Sequence, residues 1–137
     1  MRVLAVDVGD KRLGLAMSDP LGLTAQPLDV WERRTLPEDI RHLAAVVQRH
    51  DVRTIVVGHP VTLGGRVSPQ TAKAEAFAQA LRSACACPVR LWDERLTTAQ
   101  GERVLKEGRV RRQQRRIIVN QVAAQLLLQH YLETQRQ

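Results

Sequence analysis

The sequence predicts an α/β fold in which a mixed five-stranded sheet starts as an antiparallel meander, continues with parallel strands and is flanked by helices. Three features carry that expectation. The chain opens with three strand-length apolar runs separated by polar turns. From residue 36 onward, helical and strand periodicities alternate, as they do where crossover helices join parallel strands. The chain then closes on a long amphipathic helix.

Taken in order, residues 2–8 form the first strand, with Val3, Ala5 and Asp7 on one face. A tight GDKR turn leads into a second strand over 13–18, and a third follows over 24–31. Residues 36–50 read as a helix capped by Thr35, with Pro37 in its first turn and Ile40, Leu43, Ala44 and Val47 on its apolar face. Residues 54–58 are a short buried strand. After a glycine-rich loop, Ser68 caps a helix opening at Pro69 that turns Ala74, Phe77, Ala78 and Leu81 inward, and 89–93 returns as a strand. A helix over 98–107, a basic segment and a final helix over 116–133 complete the chain. In that last helix Asn120, Ala123, Ala124, Leu127 and Tyr131 share one side, while Gln121, Gln125 and Gln129 form a polar stripe. Asn120 therefore points inward, where an amide needs partners. A core amide bonded to backbone is one account of it, and a ligand in a site is the other.

At 137 residues the chain is long enough for one domain with its own core and too short for two, so 1–137 is expected to be a single domain. No apolar run approaches bilayer length and the N-terminus enters a strand at once, so a cytoplasmic protein is expected. Cys85 and Cys87 form a C-x-C without the second ligand pair of a zinc site, which suits reduced, structural thiols.

A net charge of +7 favours a polyanionic partner. The charge is concentrated in KEGRVRRQQRR, where Lys106, Arg109, Arg111, Arg112, Arg115 and Arg116 face a single acid, Glu107. With Gly108 present and Val110 the only apolar residue, this reads as an exposed segment whose guanidiniums grip phosphates. Trp31, Phe77, Trp92 and Tyr131 are the only aromatic residues, and most are needed in the core, so recognition of backbone and shape is expected rather than base stacking.

Two acidic motifs carry chemistry. Asp7 sits in a run of Val, Leu and Ala, where an acid is costly unless it is paired or holds a metal. Gly9 and Gly14 permit close backbone approach around it, and Asp10, Lys11 and Arg12 occupy the turn, where they either meet a phosphate or form an ordinary polar hairpin tip. In the second motif, Trp92-Asp93-Glu94-Arg95-Leu96-Thr97-Thr98, a strand runs out into two adjacent acids at the carboxyl edge, where α/β folds keep their sites. Adjacent residues in extended chain point opposite ways, so one of the two faces Asp7. Glu94 is the expected ligand, and Asp93 is expected to assist or to anchor Arg95 and the following backbone. Asp7, Glu94 and Asn120 together offer two carboxylates and an amide oxygen, a donor set that suits Mg²⁺ or Mn²⁺.

The runs DVGDKRLGLAMSD, VVGHPVTLGG, DERLTT and NQVAAQLLLQHYL, in this order and spanning essentially the whole chain, resemble the YqgF (RuvX) family of Holliday-junction-resolvase-like nucleases. The resemblance implies an RNase H-like fold, a cytoplasmic bacterial location, metal-dependent phosphodiester hydrolysis and a role in processing the 5′ end of pre-16S rRNA. It puts the family's acids at Asp7, Asp93 and Glu94. Its last acid falls on Asn120, where the family usually has Asp. The loop after VVG also departs, with His59 where Leu is usual and with Val67 and Ser68 where Glu and Gly commonly stand.

The expected reaction is in-line hydrolysis with metals held by Asp7 and Glu94, assisted by Asp93 or Asn120. Lys11, Arg12, Arg95, Arg109, Arg111, Arg112, Arg115 and Arg116 would position the nucleic-acid backbone. His59 is read as a surface histidine in preference to a proton shuttle. Rival readings are a Holliday-junction resolvase acting on branched DNA, and a binding protein of the same fold weakened in cleavage by Asn120. A third, nucleotide binding at the D-x-G turn, requires a two-domain cleft that this chain is too short to build. Monomer and homodimer both remain compatible with the sequence.

Overall fold

The computed structural model describes residues 2–60, 68–93 and 112–135, with side chains from 121 onward in the last segment. Its strands are β1 (Arg2–Val8), β2 (Arg12–Ser18), β3 (Ala25–Glu32), β4 (Val52–His59) and β5 (Val89–Asp93), and its helices are α1 (Leu36–His50), α2 (Pro69–Ala84) and α3 (Arg112–Gln135). The five strands form one sheet in the order β3-β2-β1-β4-β5. The pairs β3–β2 and β2–β1 are antiparallel, while β1–β4 and β4–β5 are parallel. The mixed sheet expected from the sequence is thus present, and the parallel pairs bring the carboxyl ends of β1, β4 and β5 to a single edge. The helix expected over 98–107 lies outside the described residues.

Strand alternation divides the core into two layers. Leu4, Val6, Leu13, Leu15, Ile55 and Val57 pack with Ile40, Leu43 and Val46 of α1 and with Phe77, Ala78 and Leu81 of α2. On the other face Val3, Ala5, Ala16 and Val56 meet Ala124, Leu127, Leu128, Tyr131 and Leu132 of α3. The small residues Ala5 and Ala16 let α3 lie close to the sheet centre. No helix among the described residues is long and apolar enough to cross a membrane.

Local signals set the helix starts. Thr35 accepts from the Glu38 N–H and caps α1. Ser68 accepts from the Thr71 N–H while Thr71 accepts from the Ser68 N–H, a reciprocal capping box at the head of α2. Ser68→Ala is expected to lower stability by about 1 kcal/mol, seen as a lower urea midpoint at unchanged slope.

The structure departs from the sequence reading at three places. Asp51 ends α1 in the left-handed region, at φ 53°, with its N–H bonded back to the last turn. That reversal feeds the chain straight into β4, which therefore begins at Val52 rather than 54. The inward face of α1 takes Asp39 and Val46, while Ala44 and Val47 are only half-buried. The last helix begins at Arg112, not 116, so Arg112 and Arg115 belong to a helix rather than to a loop. Arg and Gln are good helix formers, and no Gly or Pro interrupts the chain from 109 to 135.

Edge strand β3 is protected by Pro27 and by a bulge between the Leu15–Asp29 and Ala16–Pro27 pairs. Cys85 and Cys87 are free thiols, both pushed up chiefly by burial, which suits inert packing.

Candidate active site

Asp7 lies one residue before the end of β1, half-buried, on the face that packs against α3. Its partner across β2 is Gly14. On the other side, one step beyond the Val6–Val57 pair, stands Gly58, whose own neighbour on β5 is Trp92. Alternation from Ala16, Ala5 and Val56 puts Gly14, Asp7 and Gly58 on one face, and Trp92 packs on that same face. The carboxylate therefore stands in a row Gly14–Asp7–Gly58–Trp92, with no side chain on either immediate flank. Neither neighbouring strand sets a Cβ beside it, which suits close approach by a hard cation or a phosphate oxygen.

Asp93 closes β5 opposite His59 and is exposed. Leu91 packs into the α1–α2 layer, so alternation puts Asp93 on that side of the sheet, away from the face of Asp7. Glu94 and Arg95 lie outside the described residues, as do Arg109 and Arg111.

Helix α3 brings Asn120 toward the same edge. Gln125 donates to the Ala25 carbonyl at 3.2 Å, at the amino edge of the sheet, where Ala25 pairs with Ser18. Gln129, Leu132 and Glu133 lie lower still, beside Leu23 and Thr24. The backbone thus climbs toward the carboxyl edge as residue numbers fall, and Asn120 precedes Gln125 by about 7.5 Å of helical rise. Arg112 and Arg116 occur at four-residue intervals before it on the same helix; their side chains, like those of Arg115 and Asn120, are not among the described ones.

In the β1–β2 turn, Lys11 is exposed. Arg12 is paired with Glu32 at 2.9 Å, so a phosphate at Arg12 would compete with that carboxylate. Asp10 accepts from Lys73 Nζ at 3.0 Å and from Gln70 Nε2 at 3.1 and 3.2 Å, and the Lys73 bond, then that of Gln70, hold its carboxyl below the ordinary value. This turn is tied to α2 instead of forming a free hairpin tip.

Three further groups make contacts that sequence reasoning did not assign. The indole of Trp92 donates to His130 Nδ1 at 2.8 Å and meets the Tyr131 ring edge-on at 5.1 Å, joining β5 to α3 one residue before Asp93. His59 ends β4 itself, not a loop, and its Nε2 lies 3.0 Å from Glu75 Oε1. Asp39, in the first turn of α1, is fully buried and bonded to Trp31, Arg33 and the Arg34 N–H. Its position after a helix cap was the available signal, but it reads equally well as an exposed first-turn acid.

A mixed sheet with an acid on its first strand and helices on both faces defines an RNase H-like fold. RuvC of T. thermophilus in complex with Holliday junction substrate superposes on it with a TM-score of 0.63 at 18% identity, covering 99% of this chain and 96% of the other. The Fowlpox virus resolvase in complex with Holliday junction DNA gives 0.60 at 16% identity over 100% of both chains. The chain belongs to the RuvX family, whose model, described as Holliday junction resolvase, matches residues 1–134. A relative from Halalkalibacterium halodurans named "Putative pre-16S rRNA nuclease" is 43% identical over 99% of each chain.

Proposed function

We propose that this chain is a divalent-metal-dependent nuclease, a single-domain cytoplasmic enzyme that hydrolyses phosphodiester bonds in processing the 5′ end of pre-16S rRNA. The observation that carries this reading is the glycine-flanked Asp7 at the carboxyl edge of an RNase H-like sheet, in a chain related over nearly its full length to proteins named for that activity.

The donor chemistry fits a hard cation: Asp7 is a half-buried carboxylate bordered by glycines, and carboxylate and amide oxygens are the donors such ions take. Asp7, Glu94 and Asn120 would hold Mg²⁺ or Mn²⁺. Asp93, on the other side of the strand, would fix the strand end and Arg95. When bound, the metal supplies Lewis acidity at the phosphate and lowers the pKa of the attacking water. The protein's own part is positional. Gly14 and Gly58 leave room for the scissile phosphate, and Asp7 and Glu94 contribute the negative charge that keeps the cation. Lys11, Arg12, Arg95 and the guanidiniums of Arg109, Arg111, Arg112, Arg115 and Arg116 hold the backbone without reading bases.

Asn120 contributes an oxygen but no net charge, which weakens a second metal most. Asn120→Asp is accordingly expected to cleave faster, or at severalfold lower metal concentration, in a metal titration of initial rates. A slower or unfolded variant would make Asn120 a structural amide. The same residue supports a second reading, in which the chain binds nucleic acid and cleaves weakly.

Competition between a labelled pre-16S fragment and a four-way DNA junction tests the substrate. Preferential cutting of the RNA supports ribosome maturation, and preferential cutting of the junction moves the enzyme to branched DNA.

A further inference from the structure

Arg33 sits in the short link between β3 and α1, and it reaches three parts of the molecule at once. Its Nη1 donates to the Gly9 carbonyl at 3.0 Å and its backbone N–H to the Lys11 carbonyl at 2.9 Å. Both carbonyls belong to the turn that begins two residues after Asp7. Its Nε donates to Asp39 Oδ2 at 3.1 Å, and its guanidinium lies 5.5 Å from the Phe77 ring centroid in α2.

The other end of this strut is fixed. Asp39 has no exposed side-chain surface and also accepts from Trp31 Nε1 and the Arg34 N–H, each at 2.9 Å. Burial alone would raise the Asp39 carboxyl, but the bonds from the Arg34 N–H, Trp31 and Arg33 outweigh it and hold it below the usual carboxylate range. The guanidinium, 19% exposed, is thereby held in one orientation by an ionised partner.

We propose that Arg33, oriented by Asp39, is a positioning residue for the active site: it fixes the Gly9–Lys11 turn, and through it the Asp7 carboxylate, in the geometry that binds the metal. An exposed surface pair would not serve this purpose, because a loosely held turn lets the ligand carboxylate sample orientations in which it cannot coordinate. Lysine cannot replace arginine here, since one ammonium cannot span both Asp39 and the Gly9 carbonyl as a planar fork does.

The inference rests on Asp7 being a metal ligand, and the test separates the two claims. Mn²⁺ binding is measured by titration calorimetry on wild type, Arg33→Lys and Arg33→Gln, with Val52→Ala, buried at the opposite edge of the sheet, as a destabilised control, beside amide exchange of residues 8–12 in metal-free protein. Arg33→Lys is expected to weaken Mn²⁺ binding by roughly tenfold or more, within the range usual for groups that orient a ligand. Exchange at 8–12 should rise, and the rate at saturating metal should recover more fully than in Arg33→Gln. The control should move none of these. Unchanged Mn²⁺ affinity with unchanged exchange would overturn the proposal and leave Arg33 a purely structural cation. If wild type itself binds no Mn²⁺, the metal-site reading fails, and exchange at 8–12 alone decides whether Arg33 holds the turn.

Discussion

Asp7→Asn is expected to abolish metal-dependent cleavage while leaving the fold intact. The substitution is nearly isosteric and the side chain is only half-buried, flanked by glycines, so packing changes little. What it removes is the negative charge at the centre of the site. The loss in kcat should be at least as large as the ~10²–10³ that follows deletion of one transition-state hydrogen-bond donor. Steady-state cleavage beside circular dichroism checks both halves of the prediction. Retained activity in a folded Asp7→Asn protein would place the chemistry elsewhere.

Asp39→Asn should carry the largest stability effect of any single polar substitution considered for this chain. It removes the carboxylate bonded to the Arg33 guanidinium, and it turns an amide N–H₂ either toward Arg33 or toward the donors of Trp31 and Arg34. Breaking a buried ion pair from one side typically costs about 3–5 kcal/mol. The pH dependence has a definite sign. Because the folded carboxyl lies below its ordinary value of 3.8, its contribution is fully present above that pH and is lost as pH falls through the folded value. Wild type should therefore lose stability on acidification below about pH 4 more steeply than Asp39→Asn, measured as urea midpoints across pH. Parallel acid profiles would show that folding leaves the Asp39 pKa unshifted.

Much of the architecture was legible because its signals are local. The caps at Thr35 and Ser68 and the alternation in β1 each depend on residues a few positions apart, and the corresponding elements start where those residues place them. The beginnings of β4 and α3 were less legible for two different reasons. The left-handed Asp51 compresses the α1–β4 connection to a single residue, and the basic run was read by its charge although its residues favour helix.

The site divides in the same way. An acid inside an apolar strand marks Asp7 on its own. That Asp7 is flanked by Gly14 and Gly58 depends on strand register across the sheet, and no local pattern encodes it. The burial of Asp39 is also a tertiary property, because Trp31, Arg33 and the Arg34 N–H converge on it only once β3 turns into α1. Trp92, placed by sequence simply before two acids, proves to be the tie between β5 and α3.

The central claim is tested most directly by incubating the purified protein with a labelled pre-16S rRNA fragment in Mg²⁺, in Mn²⁺ and in EDTA, with Asp7→Asn alongside. Cutting that requires the metal and disappears in Asp7→Asn is the predicted result. Tight binding of the RNA without cutting in either metal would contradict it and make this chain a nucleic-acid-binding member of its family.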